Sequence, residues 1–349
     1  MRISIKGVAA AMSLAVMTAC SDASGPGTGG TTFDPQRVRD GLAAVEQVGT
    51  NPVLRSFQAL GGEIGGAQAA VGGADRFVAA VRQVAGIVRP EVGAQLIPII
   101  RSSMLGKTFV HDPVTKQYVV APNRTGAPAN GVRFVLYQVD GENRPTSTEI
   151  GVADLIDDKA ASATSAGLRL TVVSQGKTYL DYAFDLSGSI ATAVVRVKGY
   201  MSDGTERVNF DITTTGQLFA RGGPTTVTAK LDVPSQGFAV EAEVKGVAGS
   251  DQGNGDVSLR VTSGEDEVTI TAKTTNGTVD ATVTVNGTVF ATIKGPQANP
   301  VIRGEGGREL TQEELAALGE AFAFAEGVFE LFFGLLGPAG VLLLLGLGL

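Results

Sequence analysis

Cysteine, tryptophan and histidine are nearly absent from this chain of 349 residues, which contains one Cys, no Trp and one His. A single cysteine excludes an intramolecular disulfide, and one histidine without further cysteines cannot assemble a typical zinc or iron site. A catalytic triad would have to use His111, but His111-Asp112-Pro113 is typical of a turn between strands at 108–110 and 117–120. The absence of Trp argues against a platform that stacks carbohydrate rings. We therefore expect no cofactor, no bound metal and no catalytic residue.

Basic residues are few and scattered. The chain holds 28 Lys and Arg against 35 Asp and Glu, which gives a formal net charge of −7. Because phosphates are bound by concentrated Lys and Arg, the sequence predicts no nucleic-acid partner. Carboxylates cluster at Asp154, Asp157 and Asp158 and again at Asp181 and Asp185. Either cluster could supply a glycosidase pair, but solvated strand or turn positions explain both more simply, so hydrolysis is a remote alternative.

The first twenty residues have the three-part organisation of a secretory signal. Arg2 and Lys6 are basic, residues 7–17 are uncharged, apolar and too few to span a bilayer, and small residues precede Cys20. The segment Met17-Thr18-Ala19-Cys20 resembles the lipobox of bacterial lipoproteins, although that family usually has Leu where Met17 stands. The resemblance implies that residues 1–19 are removed and that Cys20 is acylated. An ordinary signal peptide with a chance cysteine is the alternative.

An acylated Cys20 would attach the chain to a membrane, because two or more acyl chains make anchoring stable. Residues 20–33 contain small and polar side chains almost throughout, which is typical of a flexible tether between the lipid and a folded domain. Ser21 rather than Asp follows the cysteine, and in enterobacterial-type sorting this favours the outer membrane. The expected location is therefore the cell envelope.

Residues 34–104 are predicted to be helical. Asp34-Pro35 and Asn51-Pro52 each place a capping side chain before a proline at the first helical position. A third run, at 77–88, has apolar residues three or four positions apart. Glycine pairs such as Gly61-Gly62 are expected to break these helices into short rods.

Residues 105–300 alternate between apolar and polar side chains, as strands with one buried face do. Asn276-Gly277 and Asn286-Gly287 are the preferred pair for two-residue hairpin turns. The fold class predicted is α+β, with an antiparallel meander of about 10–13 strands. This sheet is expected to be curved or to form an open barrel, with N-terminal helices and a C-terminal apolar helical segment packed on it.

The C-terminal segment, residues 301–349, begins its helix at a capping box, with Thr311 as the cap and Glu314 three residues later. Residues 331–349 are all uncharged and long enough to cross a bilayer. Several glycines and Pro338 weaken that helix, and no basic flank follows it. Docking on the sheet is favoured; membrane insertion and contact with a partner or ligand stay open.

Two classes of function follow from these patterns. The first is a lipid-anchored envelope lipoprotein with a structural or interaction role and no enzymatic activity. The second is a carrier of a lipid or another apolar ligand, which resembles half-barrel lipoproteins in architecture only. Its candidate lining residues are Phe184, Phe210, Val240 and Val283. A C-terminally membrane-inserted protein is a remote third class, and the sequence identifies no protein partner.

Overall fold

The computed structural model describes residues 35–65, 100–159, 165–188, 192–217, 223–247, 254–316 and 318–319. This part of the chain contains two longer helices, α1 (Pro35–Gly49) and α2 (Pro52–Gly65), and fifteen strands. The strands are β1 (Lys107–Asp112), β2 (Gln117–Val120), β3 (Gly131–Val139), β4 (Pro145–Lys159), β5 (Ser165–Ser174), β6 (Lys177–Gly188), β7 (Ala193–Ser202), β8 (Arg207–Gly216), β9 (Pro224–Val233), β10 (Phe238–Val247), β11 (Gly255–Ser263), β12 (Asp266–Thr275), β13 (Thr278–Val285), β14 (Thr288–Pro296) and β15 (Val301–Gly304). Short 3-10 turns cover Pro234–Gln236 and Glu305–Gly307.

The described strands form mixed β-sheet, and most of them pair with the strands next to them in the sequence. The chain divides into two compact units, with the boundary inside α1 and between β8 and β9. In the first unit the strand order is β8-β7-β6-β5-β4-β3-β1-β2, and in the second it is β15-β14-β13-β12-β11-β10-β9. Within each unit the described strand pairs are antiparallel apart from β1 with β3, which run parallel with Lys107 beside Val132.

The predicted sheet is confirmed in outline, but its strand count and its uniform antiparallel order are wrong. The expectation was 10–13 strands, whereas the described residues form fifteen. β2 pairs with one edge of β1 in an antiparallel hairpin. β3 therefore pairs with the other edge of β1, and it runs parallel to β1. The described chain is mostly strand with few helices, and the apolar tail at 331–349 lies outside the described residues.

Both described helices start where the Asn/Asp-Pro steps predict. The side chain of Asn51 accepts a hydrogen bond from the backbone N–H of Val53 at 2.9 Å, which caps α2. The predicted break at Gly61-Gly62 is wrong, because α2 continues to Gly65. Tertiary packing outweighs the low helix propensity of glycine here, since α2 packs mainly on β3 and the Ser56 hydroxyl donates to the Tyr137 carbonyl at 2.7 Å. The third predicted helix, at 77–88, lies outside the described residues.

Alternation along the strands produces one apolar face, here called the inner face, and one polar face. In the first unit the inner residues of β5–β8 include Leu168, Leu170, Val172, Leu180, Tyr182, Phe184, Val195, Val197, Val208 and Phe210, each at most 4% exposed. In the second unit those of β12 and β13 are Val268, Ile270, Ala272, Val279, Ala281, Val283 and Val285, each at most 6% exposed. The predicted period of two is therefore confirmed in these strands.

The two Asn-Gly turns are hairpins, as predicted. Asn276 and Gly277 have φ of 50° and 73°, and Asn286 and Gly287 have 50° and 78°. Left-handed backbone at both central positions matches the right-handed twist of the flanking strands. Each turn is closed by a directly opposed pair, Thr275 with Thr278 and Val285 with Thr288.

Candidate functional site

The four residues predicted to line an apolar site all lie on the inner face. Phe184 is in β6 and Phe210 in β8, at 3% and 4% exposure, whereas Val240 is in β10 and Val283 in β13, at 1% and 2%. Phe184 and Phe210 belong to the first unit and the two valines to the second. Within the second unit β11 and β12 separate the valines. Their role as ligand-lining residues stays a prediction.

Tyr182 is an inner residue that the sequence analysis did not single out. It lies opposite Gly199 of β7, and Gly199 lies opposite Phe210 of β8. The rings of Tyr182 and Phe210 meet edge to face across this glycine, with centroids 5.9 Å apart and an interplanar angle of 60°. A Cβ at Gly199 would stand 2.1 Å from the carbonyl oxygen of Asp181 and 2.4 Å from the Cβ of Tyr182. Glycine is therefore needed for the two rings to approach each other.

The hydroxyl of Tyr182 is buried and has no hydrogen-bond partner among the described residues. Burial raises the pKa of this phenol, because the interior disfavours the phenolate. A buried polar group without a partner destabilises a fold by about 1–3 kcal/mol, whereas Phe would fill the same space without that cost. The hydroxyl is thus able to donate to an acceptor that enters the interior. The only sequence signal is one Tyr among the Leu, Val and Phe residues of the inner face.

A hairpin joins β1 to β2 as predicted, but His111 and Asp112 are still part of β1, opposite Tyr118 and Gln117, and the turn covers residues 113–116. Asp112 accepts a hydrogen bond from the backbone N–H of Val114 and another from the Thr115 hydroxyl, both at 2.9 Å. The bond from Val114 is the main reason why the pKa of Asp112 lies below its usual value. The ring of His111 packs between Tyr118 and Tyr137, at centroid distances of 5.7 and 6.1 Å.

Two of the clustered carboxylates are held by arginines on neighbouring strands. Asp154 of β4 receives two hydrogen bonds from Arg133 of β3, both at 2.7 Å, and it is only 8% exposed. Asp181 of β6 receives two from Arg169 of β5, at 2.9 and 2.7 Å. Bidentate pairing of this kind orients both side chains. The interpretation of these carboxylates as polar strand positions fits their geometry.

The polar face of the second unit also carries cross-strand ion pairs. Lys230 of β9 contacts Glu241 of β10 at 2.6 Å, and Arg260 of β11 contacts Glu267 of β12 at 2.5 Å. These groups are between a third and two thirds exposed, so solvent screens each pair and its contribution to stability is small. Their main effect is to fix which side chains project from this face and in which order.

A shallow polar groove of about 410 Å³ crosses this face over β10–β13. The hydroxyls of Ser258, Thr271 and Thr282 line it, together with charged side chains that include Lys273 and Asp256. This groove was not predicted from the sequence. Its signal would have been the Thr and Ser residues at outward positions of three consecutive strands, but their alignment depends on strand register.

The described residues include no group of three or more His, Cys, Asp or Glu side chains placed to hold a metal ion. No helix in the same residues is both long enough and apolar enough to cross a membrane. Cys20 lies outside the part of the chain that the structure describes, so its acylation stays a prediction.

Comparison with known proteins gives no family for this chain. No protein-family model matches the sequence, no curated protein matches it, and no solved structure matches its fold.

Proposed function

We propose that this chain is a lipid-anchored lipoprotein of the bacterial cell envelope with a structural or interaction role rather than a catalytic one. The observation that carries the proposal is the Met17-Thr18-Ala19-Cys20 pattern at the end of a secretory signal, followed by residues 21–32, which lack large apolar side chains. The acyl chains on Cys20 would hold the protein at a membrane, and Ser21 after the cysteine favours the outer membrane.

The fold supports an interaction role over transport. In β12 and β13 the inward side chains are at most 6% exposed, so these strands already bury their apolar surface within the chain. The opposite face presents hydroxyls and ion pairs to solvent, which suits contact with a polar partner. Two clustered carboxylates, Asp154 and Asp181, are each engaged by an arginine, which gives a hydrolase no support.

Replacement of Cys20 by Ala tests the anchor. The variant should fail to incorporate a labelled fatty acid. It should also keep its signal segment, because the lipoprotein peptidase no longer cleaves it. Ser21→Ala is the matched control and should be acylated normally; density-gradient separation of the two membranes then tests the outer-membrane location. Unchanged acylation of Cys20→Ala would refute the proposal. If the unacylated variant still sediments with membranes, residues 331–349 are the expected point of attachment. Deleting that segment as well should then release the protein from the membrane.

A carrier of an apolar molecule is the second candidate, and the unpartnered hydroxyl of Tyr182 favours it. A ligand with an ester or amide carbonyl could accept a hydrogen bond from this hydroxyl beside Phe184 and Phe210. Native mass spectrometry with lipid extraction on detergent-free protein tests this candidate. A co-purifying lipid that Tyr182→Phe loses would support a carrier, and a ligand-free, stable wild type would refute it.

A further inference from the structure

The groove on the polar face of the second unit is built from two aligned rows of side chains. In the first row Lys245, Asp256, Lys273 and Asp280 stand directly opposite one another on β10, β11, β12 and β13. In the second row Ser258, Thr271 and Thr282 are opposed in the same way on β11–β13. Neighbouring strands lie about 4.8 Å apart, so the groove runs across four strands for roughly 14 Å.

One charged group of the first row, Lys273, has no ion pair or hydrogen bond in the described part of the chain. Lys245 contacts Glu243 at 2.5 Å, and Asp280 contacts Lys294 at 3.5 Å. Asp256 lies directly opposite both Lys245 and Lys273 and interacts electrostatically with Lys245, whereas no ion pair or hydrogen bond joins Lys273 to another described residue. The groove therefore offers the Lys273 ammonium group and three hydroxyls to a molecule from solution, beside the Asp256 carboxylate.

The side chains that line the groove disfavour several classes of ligand. The carboxylates of Glu243, Asp256 and Asp280 repel phosphates, which argues against nucleic acid. Charged and hydroxyl side chains surround Val257 and Ala272 in the groove, so a purely apolar molecule would remove charged groups from water without pairing them, which is unfavourable. An extended peptide binds best at a sheet edge, where backbone groups are free, whereas the groove crosses the middle strands of the unit.

We propose that the groove binds a linear carbohydrate that lies across the strands. A sugar hydroxyl both donates and accepts hydrogen bonds, so it can pair with the Asp256 carboxylate, the Lys273 ammonium group and the threonine hydroxyls alike. None of the described residues that line the groove is aromatic, so recognition depends on hydrogen bonds rather than on ring stacking. Because each contact is exposed and weak, a polymer with repeated units is favoured over a single sugar. This inference goes beyond the anchor at Cys20 and does not depend on it.

Co-sedimentation with insoluble polysaccharides tests the proposal. Full-length protein in mild detergent is mixed with chitin, cellulose or purified peptidoglycan sacculi, and the bound fraction is measured against polymer concentration. Wild type should bind at least one polymer saturably. Lys273→Ala and Thr271→Val should each weaken binding about tenfold, because each removes one hydrogen-bonding group.

Matched controls lie on the same face but outside the groove. Lys230→Ala and Thr228→Val make the same chemical changes on β9, and both should bind as wild type does. Far-UV circular dichroism should show that all four variants are folded, since each side chain is exposed. The proposal is overturned if no polymer binds, if the β9 variants lose as much affinity as the groove variants, or if peptides released from the sacculi bind while the stripped glycan does not. Each of these outcomes leaves the fatty-acid labelling of Cys20 unaffected.

Discussion

Replacing Tyr182 by Phe removes one oxygen atom from the interior of the first unit and changes little else. The ring can keep its edge-to-face contact with Phe210, 5.9 Å away across Gly199. In the described residues the hydroxyl has no hydrogen-bond partner, so its removal breaks no bond and relieves the burial of an unsatisfied donor. We expect the free energy of unfolding to rise by about 1–3 kcal/mol.

Urea unfolding followed by circular dichroism measures this change, and Tyr118→Phe is the matched control. The hydroxyl of Tyr118 donates to the carbonyl oxygen of Val135 at 3.0 Å, so its loss should lower the free energy of unfolding by about 0.5–1.5 kcal/mol. The same chemical change thus has opposite signs at the two positions. If Tyr182→Phe destabilises the protein as Tyr118→Phe does, the hydroxyl of Tyr182 has a hydrogen-bond partner and is not an unsatisfied donor.

The same substitution should alter stability in alkaline solution. Burial raises the pKa of Tyr182 above the ordinary value of 10.0. Above pH 10 the unfolded chain releases the phenolic proton while the folded chain keeps it, so the free energy of unfolding falls with rising pH, by up to about 1.4 kcal/mol per pH unit. Below pH 10 this group contributes no pH dependence. Tyr182→Phe should remove that part of the alkaline slope, and an unchanged slope would contradict the assignment.

Three further substitutions test the packing and the ion pairs. Gly199→Ala should lower the free energy of unfolding by about 1–3 kcal/mol, because its Cβ would stand 2.1 Å from a backbone oxygen, while Gly141→Ala, with nothing within 4 Å, should be near neutral in the same urea assay. Arg133→Gln leaves Asp154 at 8% exposure without its cation and should cost about 1–3 kcal/mol, part of which a second change, Asp154→Asn, should restore. The hydrogen bond from Arg308 lowers the pKa of Glu314 to about 2. Glu314→Gln should therefore be less stable than wild type at neutral pH. The difference should vanish as pH falls from 4.5 through about 2, where the wild-type carboxylate becomes protonated.

The features that the sequence predicts best are those decided by a few adjacent residues. The Asn-Gly turn at 276–277 forms as expected because both positions need left-handed backbone. The capping box also forms: the Thr311 N–H donates to Glu314 at 2.9 Å, and the Glu314 N–H donates to the Thr311 hydroxyl at 3.2 Å. Each of these structures is complete within four residues, so distant packing has little influence on it.

The features that the sequence analysis missed depend on distant parts of the chain. The parallel pairing of β1 with β3 joins Lys107 to Val132, and no local pattern marks it. The pairing of β3 with β4 shifts register after Leu136 of β3, and the pairing of β4 with β5 shifts register after Asp157 of β4. These shifts interrupt the apolar period of two along β4. In β7 the inner position 199 is glycine, which removes one apolar residue from the pattern although the strand is regular.

The polar groove shows how the two kinds of information combine. The turn at Asn276-Gly277 fixes Lys273 opposite Asp280 by counting outward from Thr275 and Thr278. The same counting from Asn286-Gly287 would place Ile293 opposite Asp280, on the polar face. A bulge at Phe290 adds one residue to β14, so that Ala291 pairs with Val283 and Lys294 with Asp280. Ala291 and Ile293 are then fully buried. Burial of these two side chains therefore favours the bulge. Because of the bulge, Lys294 lies opposite Asp280 and contacts its carboxylate, so Lys273 does not have that carboxylate as its partner.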